Sequence, residues 1–410
     1  MKYFQELGRL VEDRWYAAGR DDGAFAEVAA SALRTMPAHQ HLSPAQILEW
    51  LHTTTVLPPQ LDSPGSFGQP PVTLYWGRGM VVDVYFWFDS TTAVHQHSFC
   101  GAFQVLSGSS HHTTYRFSEA HRVSHALRLG QVDVERHEYL TPGTVREIRL
   151  GSAFIHSLFH LERPSTTVVV RTTRSPETVP QYNYLRPGIA HLPLEHQDLL
   201  SIRRAQALLA VRNMDREAYH RALQQTAENA DLQTIFIALL DYLHDVNDLS
   251  KVREMLEPAR QRHGSLIDAF PPVFDEELRQ KAIIKRRRRI RDTDHRFLLA
   301  LLLNGIDREN LLHLVRERHP DAEPAGQIAT WLRELLRVPG EAGDVNQNLL
   351  GLALGDDDVR ILEYFLRGCT DAEILRDLAR EGYDPSEVPG HLREFRQAVA
   401  RSFLFRSLAP

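Results

Sequence analysis

The spacing of apolar residues changes character three times along the chain. Over residues 1–56 it is helical: Tyr3, Phe4, Leu7, Leu10 and Val11 share one face, as do Phe25, Val28, Ala29 and Leu33. Ser43-Pro44-Ala45-Gln46 reads as an N-cap with proline at the first helical position. Residues 57–71, LPPQLDSPGSFGQPP, are too rich in proline and glycine for regular structure and are expected to be a linker. From Val72 the runs become short, β-branched and aromatic: VTLYW, MVVDVYFWF, AFQVL, TTYRF, VDVERHEYL, AFIHSLF and TTVVVRT. Many short strands with no helix between them predict an antiparallel barrel of the jelly-roll type over 72–175. After Arg174 the strands are expected to stop.

From residue 196 to 410 the rhythm is helical again. DLLSIRRAQALLAV, LQTIFIALLDYLHDV, RFLLALLLNGI and QIATWLRELLRV follow it, and about ten or more helices are predicted. No repeat of fixed period stands out. The chain therefore reads as α+β and multidomain: a helical lead-in, a β-barrel and a large α-helical C-terminal domain.

Composition narrows the function only a little. The balance of 43% hydrophobic and 24% charged residues is that of an ordinary globular protein. A net charge of −6 makes a general nucleic-acid binder an unfavoured reading. The two cysteines, Cys100 and Cys369, supply neither a disulfide framework nor a Cys-based zinc module. No apolar run is long enough to span a bilayer, and MKYFQELGRLVEDRW lacks the apolar stretch of a secretory leader. A cytoplasmic setting is expected.

Histidine is the unusual component: about half of the 21 lie between His95 and His191. His95 and His97, in AVHQHSF, point to the same face of an extended strand. FIHSLFH offers a third imidazole from another strand in His156 or His160. An H-x-H pair alone is weak evidence for metal. The surroundings add to it, because HQHSFCGAFQVLSG resembles the first cupin motif, with His95, His97 and Gly108 in place. GTVREIRLGSAFIHSLFH resembles the second, with Gly143, Gly151 and His156 in place. Arg149 stands where that motif has proline, two extra residues precede His156, and His160 stands where it has asparagine.

This resemblance covers about a quarter of the chain. It implies a cupin barrel holding one divalent ion through His95, His97 and His156, with His160 in a supporting place. The motif's glutamate ligand aligns with Gly101, or with Ala102 under the longer spacing, and neither can coordinate. Three neutral imidazoles leave the ion's charge uncompensated, which favours an anionic chelating substrate. That arrangement is similar to the thiol dioxygenases and implies Fe(II), with zinc, manganese or nickel as alternatives.

Blander readings apply to the neighbours. His111 and His112 follow Gly108-Ser109-Ser110 and are expected in an exposed turn; His121, His125 and His137 are expected at the surface. Cys100 beside the vacant glutamate position is read as a buried inert thiol, though it could line the pocket, as could Gly101, whose place is expected to face the ion's open side. Tyr85 and Trp87 share a strand face and are either core or pocket lining. The run Lys281–Asp292, with six cations in seven residues at its centre, is read as a solvated helix face. The favoured function is a mononuclear Fe(II) dioxygenase acting on a small anionic molecule. The alternatives are a ligand sensor whose helical domain binds a protein partner, and an oxygen-independent isomerase or lyase.

Overall fold

The computed structural model describes residues 1–62, 68–89, 91–173, 179–340, 348–384, 386 and 388–408. Part of the expected linker, 63–67, and the expected barrel end at 175 lie outside them. The chain divides into two compact units, Met1–Arg136 with Leu140–Leu278, and His137–Tyr139 with Arg279–Pro410.

In the first unit, four helices come first: α1 (Lys2–Ala17), α2 (Asp22–Thr35), α3 (Ala38–His41) and α4 (Pro44–Thr53). The Ser43 cap is present as a full capping box with Gln46. Eleven strands follow: β1 (Pro71–Trp76), β2 (Met80–Trp87), β3 (His95–His97), β4 (Gly101–Ser107), β5 (Ser110–Arg122), β6 (Leu127–Leu140), β7 (Val145–Ile148), β8 (Gly151–His160), β9 (Ser165–Thr172), β10 (Asn183–Leu185) and β11 (Ile189–His191). They make a five-stranded sheet ordered β1-β2-β9-β4-β7 and a closed ring ordered β10-β11-β6-β5-β8-β3.

The five-stranded sheet is covered on both faces, which explains why every residue of β2 is buried. On one side Val82, Val84, Phe86 and Val170 pack with Phe4, Leu7 and Phe25 of the lead-in helices. On the other, Tyr85, Trp87, Phe103 and Val169 form a separate core. The lead-in is therefore a wall of the β-domain. Removing a fully buried ring such as Phe25 by an alanine substitution should cost about 3–5 kcal/mol.

Strands do not stop at Arg174. The hairpin β10–β11 closes the ring, pairing Asn183 with His95 on one edge and Ile189 with Leu129 on the other. Two three-residue strands beside Pro180 and Pro187 are too short for alternation to register in a sequence reading. Next come α5 (Leu199–Met214), α6 (Arg216–Asn229), α7 (Leu232–Val246), α8 (Leu249–His263) and α9 (Phe270–Arg287). Their core, with Tyr219, Phe236 and Phe270, includes Leu127, Leu129 and Ile189 of the ring.

The second unit holds the end of α9 together with α10 (Thr293–Leu303), α11 (Arg308–Arg318), α12 (Pro324–Arg337), α13 (Asp356–Arg367), α14 (Asp371–Arg380) and α15 (Val388–Arg401). Helix α10 is its centre, buried on all sides from Arg296 to Leu303. Aspartates at 198, 215, 231, 248, 292 and 307 each cap a helix, so much of the acidic composition serves helix starts. The basic run is not simply a solvated face. Arg287 is buried, Arg286 donates to the Leu350 carbonyl (3.0 Å), and Arg289 donates to the Pro339 carbonyl (2.7 Å). Guanidiniums satisfy loop carbonyls here.

Closure of the ring depends on a close approach of two glycines. Gly130 N–H donates to the Gly188 carbonyl (2.9 Å), and a Cβ on Gly188 would lie 2.2 Å from the Gly130 oxygen. Gly188→Ala is expected to push the hairpin off β6 and destabilise the unit by roughly 1–3 kcal/mol. Urea unfolding followed by tryptophan fluorescence measures this; an unchanged midpoint would show that the hairpin yields without cost.

Candidate metal centre

Register brings the imidazoles together. In the antiparallel pair β3–β8, His95 lies directly opposite His156, so the two side chains leave the same face. His97 shares that face by alternation, and a register break after Gln96 shifts it along the partner strand, opposite Gly151. Gln96, turned to the other face, anchors the strand: its Nε2 donates to the Pro180 carbonyl (2.5 Å) and its Oε1 accepts from the Tyr184 hydroxyl (2.5 Å).

One nitrogen from each of His95, His97 and His156 lies within 4.8 Å of the others, and all three residues are buried. His97 Nε2 and His156 Nε2 are 2.9 Å apart. Two bonds of about 2.0–2.1 Å meeting near a right angle would span about that distance, so the pair fits adjacent positions on one ion. His95 Nδ1 lies 2.8 Å from the Ala93 carbonyl, which fixes the proton there and leaves Nε2 as the lone-pair nitrogen.

Burial pushes all three imidazoles below the usual histidine range, His97 and His156 well below it. After burial, His97 is depressed by His95 and then by the Arg171 guanidinium; His156 is depressed by His95, His97, His112 and His160. Three neutral rings with lone pairs available at neutral pH are what a transition-metal site requires. Among the described residues, the group contains no carboxylate.

The remaining sequence candidates separate. His160 Nδ1 is bonded to the hydroxyls of Ser110 (3.0 Å) and Ser165 (2.8 Å), and its ring stacks on Trp87 at 4.6 Å. Trp87 and Tyr85 lie in the core on the imidazole side of the five-stranded sheet. Tyr85 donates to Asp83 Oδ2 (3.0 Å), which also accepts from Arg171 Nε (2.8 Å). The Arg171 guanidinium sits 4.7 Å from the Phe99 ring, whose other neighbour is His97 at 4.6 Å.

Three expectations need correction. Cys100 does not line this interior; it packs with the lead-in helices, and burial pushes its thiol up. Gly101 offers no open face: a Cβ there would lie 2.1 Å from the Val170 carbonyl oxygen, because β9 passes against it. Ala102 faces the lead-in helices. The side chain that reaches toward the imidazoles from β4 is Phe103, with its ring 6.2 Å from His156. Finally, His111 and His112 are fully buried strand residues, not an exposed turn.

His112 is the functional candidate that sequence reasoning missed. Its Nε2 lies 3.0 Å from His156 Nδ1. Strand β5 begins at Ser110, pairing Ser110 with His160 and Thr114 with His156, so alternate residues 110, 112 and 114 face the site. The preceding Gly-Ser-Ser concealed this, although alternation carried back from TTYRF would have reached His112.

Two outcomes follow from burial. In metal-free protein, these histidines gain protons on unfolding below about pH 6.5 but resist them when folded. Stability is therefore complete above that pH and is expected to fall on acidification, by up to about 1.4 kcal/mol per pH unit for each buried ring. Urea titrations in chelator across pH 5–8 should show a shallower slope for His97→Gln; rising stability toward acid would contradict the assignment. Separately, Gly101→Ala is expected to destabilise the barrel nearly as much as Gly101→Glu, since the first added carbon already meets β9. A thermally unperturbed Ala variant would reverse that conclusion.

No protein-family model matches the chain, and no curated protein matches it in sequence. Solved structures resemble part of it. A cupin superfamily protein from Desulfitobacterium hafniense is 10% identical, with 25% of this chain and 76% of that one covered and a TM-score of 0.18. A hydroquinone 1,2-dioxygenase from Sphingomonas sp. TTNP3, with 4-hydroxybenzoate bound, is 8% identical over 30% and 82%, at 0.22. The lyase DddQ of Ruegeria pomeroyi, which acts on DMSP, is 16% identical over 24% and 40%, at 0.17. At these values the likenesses carry no argument about this chain's chemistry. By its own paired sheets, its closed ring and the histidine group between them, the β-domain is a cupin-type barrel.

Proposed function

We propose that the β-domain is a mononuclear metal enzyme, a non-haem Fe(II) dioxygenase acting on a small anionic chelating molecule. The observation that carries this reading is the donor set: three buried, neutral imidazoles with no carboxylate among them. A divalent ion held this way keeps its full charge, which draws an anion to it, and a soft-to-borderline nitrogen set suits iron. When bound, ferrous iron would supply Lewis acidity and a redox-active centre through which electrons of the oxidised substrate reach dioxygen.

The chain's own residues would do the rest. His95, with its proton held at Nδ1 by Ala93, presents Nε2 without reorganisation. Tyr85, Trp87, Phe103 and Phe154 surround the site with apolar surface that excludes water. Arg171, oriented by Asp83 and stacked on Phe99, provides a positive charge near His97 against which an anionic group can be placed. A retained bond between Ser110, Ser165 and His160 keeps that ring out of the ligand set.

The test is metal and oxygen together. Protein purified anaerobically is expected to carry one divalent metal per chain, mainly iron. His95→Ala, His97→Ala and His156→Ala should each abolish stoichiometric metal, while His160→Gln should retain it. Screened against small thiols, carboxylates and enols, the iron-loaded protein should consume one O2 per substrate turned over. Turnover that continues without oxygen would point to an isomerase or lyase, and full metal content in the His95/His97 double variant would remove the site altogether.

A further inference from the structure

Helix α5 (Leu199–Met214) is apolar on two sides, and the fold covers one of them. On the inner side Leu208 and Val211 pack against the helical core, and Arg212 ties the helix to Asp241 of α7 (3.0 Å). On the outer side Leu200, Arg203, Ala207, Ala210 and Met214 follow one another at three- and four-residue steps, and all five are exposed. Leu200 is 58% exposed and Met214 85%, with Leu199 (66%) beside them. None of the 16 residues of α5 is buried.

Its place in the fold makes that bare face unusual. Helices α5–α6 and α7–α8 are successive hairpins, with α5 packed on α6 and α6 on α8. Their aspartate caps fall at 198, 215, 231 and 248, so the second hairpin repeats the first at a fixed interval. The counterpart of α5 is α7, which buries Leu232, Ile235, Phe236, Leu239 and Leu243. The first helix of such a stack ordinarily turns a polar face outward, because no further hairpin covers it. Helix α5 instead presents leucine, alanine and methionine. Scattered exposed apolar side chains need no explanation, but a continuous seam along a helix does.

The seam is its own complement. Leu200 and Met214 lie equally far from Ala207 along the chain, one on each side, and so do Asp198 and Arg216. Two α5 helices running antiparallel about a two-fold axis at Ala207 therefore set Leu200 of each copy against Met214 of the other. The small side chains of Ala207 and Ala210 let the helix axes approach, and the bulky ends close over them. The same axis brings the Asp198 carboxylate of one copy beside the Arg216 guanidinium of the other. Both are exposed, and Arg216 also pairs with Asp245 within its own copy. Arg203 lies along the helix, donating to Gln206 (2.6 Å), and leaves the centre of the seam open. A pattern symmetric about one residue is what a closed, isologous contact requires; a heterologous contact has no need of it.

We propose that α5 is a dimerisation helix, its outer seam packing against α5 of a second copy of this chain. A single helix about 24 Å long gives each copy a small contact area, so the dimer is weak, with a Kd on the order of 10–100 µM.

Sedimentation velocity on the full-length protein, from about 1 to 300 µM, should show a reversible monomer–dimer equilibrium in that range. Leu200→Glu and Met214→Glu should each raise the Kd at least about tenfold, because every exchange alters two contacts across the axis. Both side chains are exposed in the monomer, so the thermal midpoints should match wild type. Position along the seam is tested in a Cys369→Ser background. Ala207→Cys places two thiols at the axis, and diamide should join them into a covalent dimer far faster than it joins Arg253→Cys, an exposed site on α8. Protein that stays monomeric throughout the range would overturn the proposal, whatever other partner covers the seam. So would a dimer that both glutamate variants leave intact, or Ala207→Cys cross-linking no faster than Arg253→Cys.

Discussion

Strand β3 is three residues long and cannot hold its register by its own ladder, so its position is set by what grips its two edges. On one side β8 places His156 opposite His95, and on the other the β10–β11 hairpin pairs Asn183 with His95. Gln96 adds two side-chain bonds to the segment 180–184 from the face opposite the imidazoles. A slip of one residue would send His95 and His97 outward and Gln96 inward, because successive strand residues face opposite ways. The chemistry of the site therefore depends on ring closure, and closure depends on the contact between Gly130 and Gly188.

Burial then does the electrostatic work. Desolvation is the largest influence on each of the three imidazoles, and it keeps them neutral where exposed histidines would be partly charged. The second nitrogen of two of these rings has a neighbour: the Ala93 carbonyl lies against His95 Nδ1, and His112 Nε2 against His156 Nδ1. Both walls that exclude water come from elsewhere in the unit. The five-stranded sheet contributes Trp87 and Phe103, and the lead-in helices cover that sheet from behind.

Much of this was legible in the sequence, where local pattern and tertiary packing agree. Alternation put His95 and His97 on one face, TTVVVRT is β9, and His160 bonds to the hydroxyls of Ser110 and Ser165. What could not be read has physical causes. The hairpin 183–191 is too short for periodicity, and its pairing partners are about 60 to 90 residues away in sequence. The closed space at Gly101 comes from the Val170 carbonyl of another strand, which no property of GAF reveals. Cys100 is buried, as its setting suggested, but which layer buries it depends on how β4 faces α2. The arginines of 286–289 looked solvated because charge runs usually are; here Arg287 is buried, and Arg286 and Arg289 donate to carbonyls fifty or more residues away in sequence.

The central claim is that these three histidines hold one ion together, and the most direct measurement is anomalous scattering from crystals of protein loaded anaerobically with Fe(II). The account predicts a single strong peak within bonding distance of nitrogens of His95, His97 and His156, with His160 still on Ser110 and Ser165. A peak bound by His160 in place of His156, or loaded crystals with no peak between the two sheets, would contradict it.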